Sequence, residues 1–264
     1  MSLSFAVGRI LMHIRPAPLA VLFKRLLLLR RQVVTTPDGS FWIDPASDAG
    51  QRVYRTGRYE EKTVKILEQV LRAGDTYVDI GANEGYFCVP AAKLVGPGGR
   101  VVAIEPQARL AEVLRRNFNL NHSRVELLAV AIAAEAGSAT LHLTPSMNNS
   151  ASGLAAPTSY PLKTETVPTM TLAQLIADYR LATPLVVKMD IESWEHEAIL
   201  GSPEIFRAGL VRVLLLELHP ALLQKRGLDP EAVPRFLVEC GYEHLADSAG
   251  MAWVHRRNAP TTPA

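Results

Sequence analysis

The sequence predicts an α/β fold in which a mostly parallel sheet carries helices on both faces. From residue 76 onward, short apolar runs of strand length alternate with segments of helical periodicity. Two of these runs, 185–191 and 211–218, are almost continuously apolar, which is typical of strands covered on both faces. Strands and helices that alternate in this way are joined by right-handed crossovers, so we expect parallel neighbours.

The elements are predicted in chain order. A hairpin spans 33–44 and turns at Asp38-Gly39, and a helix with one apolar face follows over 60–72 until Gly74 stops it. Thr171 and Gln174 have the spacing of a capping box. The remaining elements are strands at 76–80, 100–105, 125–132, 139–143, 185–191 and 211–218, helices at 86–95, 107–118 and 171–180, and a C-terminal antiparallel hairpin within 242–257.

The chain of 264 residues is long enough for one large domain, which we place at 46–258. Residues 1–45 are predicted to be a basic amphipathic extension with the first hairpin, and 259–264 a disordered tail. Residues 19–31 are predicted to form a basic amphipathic helix that packs on the domain or on a second copy of the chain. Peripheral contact with an anionic membrane is the alternative.

The segment 144–169 is rich in Ser, Pro, Asn and Thr and has little periodicity. A loop of this length in a compact domain is usually functional or disordered. We expect it to lie over the pocket as a substrate lid, with a disordered surface loop as the alternative.

Charge is distributed unevenly. The net charge is +2, from 28 Lys and Arg against 26 Asp and Glu, yet residues 1–37 hold six basic residues and no acid, which leaves −4 for the rest. The acidic body disfavours a nucleic-acid partner. Cys88 and Cys240 are too few for a disulfide framework, so we expect a cytoplasmic location, with peripheral contact at the inner membrane surface left open. Neither a membrane span nor a signal peptide is expected.

A glycine-rich motif, Asp79-Ile80-Gly81-Ala82-Asn83-Glu84-Gly85, follows a strand and precedes a helix. Glu105 closes the next strand, where an acid can accept both hydroxyls of a ribose. Asn83 replaces the second glycine of a dinucleotide motif, and Glu84 would repel a phosphate. These residues favour a nucleoside cofactor without phosphate, and S-adenosylmethionine fits.

With these motifs the chain resembles the FkbM-type family of S-adenosylmethionine-dependent O-methyltransferases. The matching segments are DIGANEGYF (79–87), VVAIEP (101–106) and VKMDIESWE (187–195), the last similar to the family's Lys-x-Asp-x-Glu-Gly-x-Glu pattern. Ser193 stands where the family usually has glycine, and we expect it to cap the next helix and reshape the pocket. The resemblance covers roughly residues 50–250 and implies a Rossmann-like class I methyltransferase fold with a seven-stranded sheet.

The resemblance also implies a cofactor-binding set. The glycine motif would hold the methionine end, Glu105 with Pro106 the ribose, and the turn at Ala129 and Val130 the adenine. Tyr59 and Glu60 would close over the cofactor. The predicted set is Tyr59, Glu60, Asp79, Gly81, Ala82, Asn83, Gly85, Glu105, Pro106, Ala129 and Val130.

Lys188, Asp190 and Glu192 alternate along a predicted strand and would share one face, and Glu217 and His219 share a face of its neighbour. A hydroxyl acceptor needs a general base, for which Asp190 is the first candidate and His219 the second. Lys188 would hold the carboxylates or stabilise a developing alkoxide. A structural ion-pair network is the alternative. The carboxylates could also bind Mg²⁺, but no spacing is diagnostic, so no metal is predicted.

The predicted reaction is methyl transfer from S-adenosylmethionine to a hydroxyl of a small molecule, a sugar or a polyketide-type compound, in bacterial natural-product biosynthesis. An NAD(P)-dependent oxidoreductase and a non-catalytic, membrane-associated binding protein of the same fold are the alternatives. Candidate acceptor-binding residues are Asn148, Asn149, Ser150, Ser193, Trp194 and Glu195.

Overall fold

The computed structural model describes residues 2–14, 17–143, 163–246 and 248–258. Its N-terminal part is helical apart from one hairpin, which turns at Thr36–Gly39 as predicted. The elements are α1 (Leu3–Leu11), α2 (Ala17–Leu26), β1 (Gln32–Thr35), β2 (Ser40–Ile43), α3 (Asp48–Thr56) and α4 (Glu61–Val70).

The central sheet has seven strands in the order β11-β12-β10-β9-β3-β4-β5. The neighbours from β10 to β5 are parallel, whereas β12 is antiparallel to both β10 and β11. This topology confirms the predicted sheet and its C-terminal hairpin. The strands are β3 (Thr76–Ile80), β4 (Arg100–Ile104), β5 (Val125–Leu128), β9 (Leu185–Met189), β10 (Val211–Leu216), β11 (Tyr242–His244) and β12 (Ala252–His255).

Helices cover both faces of this sheet because successive strand residues alternate between two apolar layers. In β3, Tyr77 packs with α4, whereas Val78 and Ile80 pack with the opposite layer. The helices are α5 (Cys88–Val95), α6 (Ala108–Leu120), α7 (Leu172–Asp178), α8 (Glu195–Leu200), α9 (Pro203–Arg207), α10 (Pro220–Lys225) and α11 (Ala232–Glu239). The predicted capping box of Thr171 and Gln174 is present at α7.

A second, three-stranded sheet departs from the prediction. The segment predicted as one strand at 125–132 divides, and its end forms β6 (Ala131–Ile132), which pairs with β8 (Lys163–Met170). β8 also pairs with β7 (Gly137–Leu143), so residues 163–169 are not loop. A small core of Ala131, Leu141 and Val167 holds this sheet together.

The N-terminal arm, residues 2–31, also differs from the prediction. A helix that was not predicted, α1, precedes α2, and α2 ends at Leu26 instead of reaching residue 31. One side of the arm packs on the body: Phe5 stacks on Tyr54 with ring centroids 3.8 Å apart, and Phe5 belongs to the same apolar cluster as β3. Within the described ranges, no helix is long and apolar enough to cross a bilayer.

Candidate active site

The glycine motif forms the loop between β3 and α5 and lies at the carboxyl ends of the parallel strands. Gly81 has φ +84°, and a Cβ there would lie 2.0 Å from the carbonyl oxygen of Asp190. Gly85 has φ +80°, and its Cβ would lie 2.8 Å from the ring of Phe118. Both positions therefore require glycine, because φ is positive at each and because a Cβ at either would overlap a neighbouring atom.

Asp79, at the end of this strand, is fully buried. The Cys88 thiol donates to its Oδ2 at 3.1 Å, but its Oδ1 has no hydrogen-bond partner among the described residues, and neither does Oδ1 of Asn83. Burial raises the pKa of Asp79, and the Lys188 ammonium, on the strand residue opposite, counteracts the rise. Buried acceptors without partners are rare in native structures, so both oxygens suit the ammonium of the cofactor's methionine end.

Glu105 ties two backbone segments together. Its Oε2 accepts from the Asn83 amide at 2.9 Å, and its Oε1 accepts from the Gln107 amide at 3.0 Å. Burial raises its pKa to about 7, although these two hydrogen bonds lower it. A carboxylate held this way retains lone pairs for ribose hydroxyls, so its geometry fits the predicted role.

The carboxylate of Glu84 is paired with a cation, so the prediction that it would repel a phosphate is wrong. Its carboxylate is buried and accepts from both guanidinium nitrogens of Arg31, at 2.6 and 3.0 Å, and from the Tyr86 hydroxyl at 3.1 Å. Sequence reasoning missed Arg31, because 53 residues separate it from Glu84 and no local pattern marks the pair.

The other predicted cofactor residues lie at the same end of the sheet. Tyr59 stacks on Tyr86 with centroids 4.7 Å apart. Glu60 precedes α4 with φ 45°, and its charge contributes to raising the pKa of Lys188. Four further residues lie in the segments that follow β3, β4 and β5: Ala82, Pro106, Ala129 and Val130.

The predicted catalytic residues come together at the ends of β9 and β10. Nζ of Lys188 lies 3.6 Å from Oδ2 of Asp190, and Nε2 of His219 lies 3.9 Å from Oδ1 of Asp190 and 3.7 Å from Oε2 of Glu192. On the other side of the ring, Nδ1 of His219 lies 3.5 Å from Oε1 of Glu195. One imidazole therefore lies among three carboxylates.

The pKa values of His219, Glu192 and Lys188 are all raised, but for different reasons. Burial lowers the pKa of His219, but Glu195 and Glu192 outweigh it and raise the value to about 9. Burial raises the pKa of Glu192 to about 7, with His219 acting against the rise. Burial likewise lowers the pKa of Lys188, but Asp190 and Asp79 raise it to about 12. At neutral pH the imidazole is charged and Glu192 is close to half-ionised.

The segment after β9 corrects two predictions. The strand ends at Met189, and Glu192 and Ser193 have φ of 56° and 78°, so Glu192 is in a turn and not on a strand face. Ser193 does not cap α8, because Trp194 is the N-cap and makes no side-chain hydrogen bond. Left-handed φ favours glycine, which explains in physical terms why glycine suits this position.

Arg226 is a second residue that sequence reasoning missed. It follows α10, donates to the Ser193 carbonyl and to Glu197, and lies 4.1 Å from the centroid of Trp194. The Ser193 side chain is buried beside it, with Oγ 3.4 Å from the guanidinium. Arg226 therefore holds the turn that carries Glu192 and Trp194.

The predicted acceptor-binding residues are only partly located. Asn148, Asn149 and Ser150 lie outside the described residues. Trp194 is half-buried at the cluster. Glu195 is fully buried and accepts from the Ile191 amide at 2.7 Å, so it contacts His219 and the turn and not an open pocket.

The same cluster bears on metal binding. Asp190, Glu192 and His219 each offer one ligand atom, all within 4.8 Å of one another. These residues could hold a cation once His219 has released its proton, so the absence of a metal stays a prediction.

The sheet order, the glycine loop and the acids at the strand ends define a class I S-adenosylmethionine-dependent methyltransferase. The methyltransferase FkbM domain matches residues 79–244, and the chain belongs to this family. The assignment favours methyl transfer over the oxidoreductase alternative.

The individual relatives share low sequence identity with this chain. A hexuronic acid methyltransferase of Haloferax volcanii, AglP, is 24% identical over 186 residues, which cover 69% of each chain. Among solved structures, the precorrin-6y C5,15-methyltransferase of Geobacter metallireducens is 17% identical, with a TM-score of 0.41. The match covers 70% of this chain and 72% of that protein's chain. The Aeropyrum pernix fibrillarin with bound S-adenosylmethionine is 13% identical, with coverages of 73% and 72% and a TM-score of 0.38.

Proposed function

We propose that this methyltransferase transfers methyl to a hydroxyl oxygen of a neutral sugar, with Glu192 as the general base. The observation that carries the proposal is the cluster of Asp190, Glu192 and His219 beside the loop 81–85 between β3 and α5, which we call the cofactor loop. S-adenosylmethionine, when bound, supplies an electrophilic methyl group, so the protein must position the acceptor and remove its proton.

The protonation states favour Glu192 among the candidate bases. A general base is most effective when its pKa lies near the working pH, and Glu192, at about 7, meets this condition. His219, at about 9, is charged and stabilises the carboxylates instead. Asp190 lies between Lys188 and His219, within 4 Å of both cationic groups, and so holds them in place.

The choice of acceptor follows from charge. Acids outnumber bases around the cluster, because Glu60, Glu195 and Glu217 add to Asp190 and Glu192 while Lys188 and His219 are the cations that oppose them in the described site. An anionic acceptor would be repelled, which favours a neutral hydroxyl over a carboxylate. The similarity to a hexuronic acid methyltransferase supports a sugar over a polyketide, whereas the acidic cluster favours a sugar without the carboxylate of a hexuronic acid.

The test incubates purified protein with S-adenosylmethionine and three acceptor panels: neutral glycosides, hexuronosides and hydroxylated polyketides. Release of S-adenosylhomocysteine reports turnover, and NMR of the product locates the new methyl group. We expect a methyl ether on a neutral glycoside. A methyl ester, or turnover confined to polyketides, would overturn the proposal. Glu192→Gln should lose turnover while binding S-adenosylhomocysteine normally.

A further inference from the structure

The exposed large apolar side chains of the described residues are concentrated in the N-terminal arm. Eight of eleven lie there, and Leu3 and Leu28 are 79% and 71% exposed. The eight are Leu3, Ile10, Leu19, Leu22, Phe23, Leu26, Leu27 and Leu28. Large apolar patches on a soluble protein usually mark an interaction site.

These side chains are arranged by helical periodicity. In α2, Leu19, Leu22, Phe23 and Leu26 have the spacing i, i+3, i+4 and i+7, which forms one stripe. The spacing is that of an amphipathic helix, but the apolar stripe is the exposed side.

The opposite faces of both helices are occupied by the body. Gly8 of α1 packs so closely on Pro45 that a Cβ would lie 2.1 Å from the Pro45 carbonyl oxygen. Ala20 of α2 is fully buried and packs with Ala46, the next residue. Because the two helices rest on the adjacent residues Pro45 and Ala46, their other faces point away from the body. We call this exposed side the outer face of the arm.

The charges of the arm are divided in the same way. Lys24 and Arg31 pair with the body carboxylates of Asp44 and Glu84. Arg9, Arg25 and Arg30 are exposed, and residues 1–37 contain no acid. The outer face therefore combines leucines and phenylalanine with uncompensated positive charge.

We propose that the outer face of the arm binds the surface of an anionic lipid bilayer. Basic residues beside Leu and Phe on one helix face match the interface between headgroups and acyl chains. A second copy of the chain fits less well, because two identical basic faces repel each other. The proposal does not depend on the acceptor or on the base.

The test is co-sedimentation of the full chain with sucrose-loaded vesicles, either phosphatidylcholine alone or phosphatidylcholine with 30% phosphatidylglycerol. We expect binding to the anionic vesicles and little binding to the neutral ones. Leu22→Gln/Phe23→Gln/Leu26→Gln should weaken binding roughly a hundredfold, because three apolar side chains no longer enter the interface. Arg25→Gln/Arg30→Gln should weaken it about 25-fold, and less at high salt.

The matched control is Leu120→Gln/Val238→Gln, which removes two exposed apolar side chains of the body and should leave vesicle binding unchanged. Circular dichroism and S-adenosylhomocysteine affinity check that each variant is folded. The proposal would be overturned if the unaltered chain did not pellet with anionic vesicles. It would also be overturned if Leu22→Gln/Phe23→Gln/Leu26→Gln pelleted as much as the unaltered chain. A dimer in sedimentation velocity that the triple variant abolishes would overturn it in favour of a second copy.

Discussion

Arg31 and Glu84 form a two-point ion pair between the N-terminal arm and the cofactor loop. The distances are 2.6 Å from Nη2 to Oε1 and 3.0 Å from Nη1 to Oε2, and the side chains are 15% and 2% exposed. Glu84 immediately precedes Gly85, and its carbonyl accepts from the Asn117 side chain at 2.8 Å. The arm is thus attached to the segment that is predicted to bind the cofactor.

Removing one partner of this pair should destabilise the protein. Arg31→Met leaves a buried carboxylate without its cation, so we expect a loss of about 3–5 kcal/mol in the free energy of unfolding, and weaker S-adenosylhomocysteine binding. Arg31→Met/Glu84→Gln should recover part of the loss. Urea denaturation and calorimetry measure both effects. The control Lys65→Met breaks the exposed pair with Glu61 and should barely change the melting temperature, and an equal loss there would contradict the special role of Arg31.

The pH dependence of turnover should identify the base. Glu192 has a pKa of about 7, so it gains basicity as the pH rises from 6 to 8, and kcat should rise over the same interval. Glu192→Gln should lower kcat by about 10²–10⁴-fold. Measurement of kcat from pH 5.5 to 9 tests this. A wild-type profile in the glutamine variant would exclude Glu192 as the base.

Cofactor affinity should also depend on pH, through Glu105. Its pKa of about 7 means that it is largely protonated at pH 6 and ionised at pH 8. The ionised form accepts stronger hydrogen bonds from ribose hydroxyls, so S-adenosylhomocysteine should bind more tightly at pH 8. Isothermal titration at both pH values gives the ratio of the two S-adenosylhomocysteine dissociation constants. In Glu105→Gln the ratio should approach one, and a ratio unaffected by this substitution would argue against the ribose role.

The serine at position 193 should lower the stability of the fold. A non-glycine residue at φ 78° carries backbone strain of order 1 kcal/mol, which Ser193→Gly would relieve. We expect a melting temperature about 2–4 °C higher by calorimetry. Ser202→Gly is the control, because Ser202 is also buried but has φ −136°, and it should be destabilised. A lower melting temperature for Ser193→Gly would mean that its hydroxyl contributes more than the strain costs.

Metal removal should leave turnover unchanged. The ligand atoms of Asp190, Glu192 and His219 lie within 4.8 Å of one another, but the proposed reaction uses Glu192 as the base and no step of it depends on a divalent ion. Dialysis against EDTA followed by assay with and without Mg²⁺ tests this expectation. Activity lost in EDTA and restored by Mg²⁺ would show that a divalent ion is required.

The sheet was predictable from sequence because its strands are buried on both faces. Leu185–Met189 and Val211–Leu216 are buried along their length, so their sequences are apolar except for Lys188 and Arg212. β8 was missed because Val167 is its one fully buried side chain and Pro168 interrupts it. That proline is tolerated because β6 pairs only with Thr169 and Met170, which leaves position 168 without a ladder partner on that side.

The candidate site was predictable in its members but not in its geometry. Alternation suggested that Glu192 continues the strand face of Lys188, but a turn with positive φ places it beside His219. Arg31 and Arg226 act through contacts distant in sequence, which no local pattern encodes. The protonation state of His219 could not be predicted from sequence either, because its high pKa arises from carboxylates that the fold brings together.

The contact of Gly81 with the Asp190 carbonyl has a consequence for how new acceptors arise. The space that a Cβ would occupy at Gly81 holds that oxygen, so a main-chain contact holds the cofactor loop and the segment leading to Glu192 in register. Side-chain exchange elsewhere in the pocket leaves this register intact. Acceptor preference can therefore diversify by mutation while the alignment required for methyl transfer is inherited unchanged.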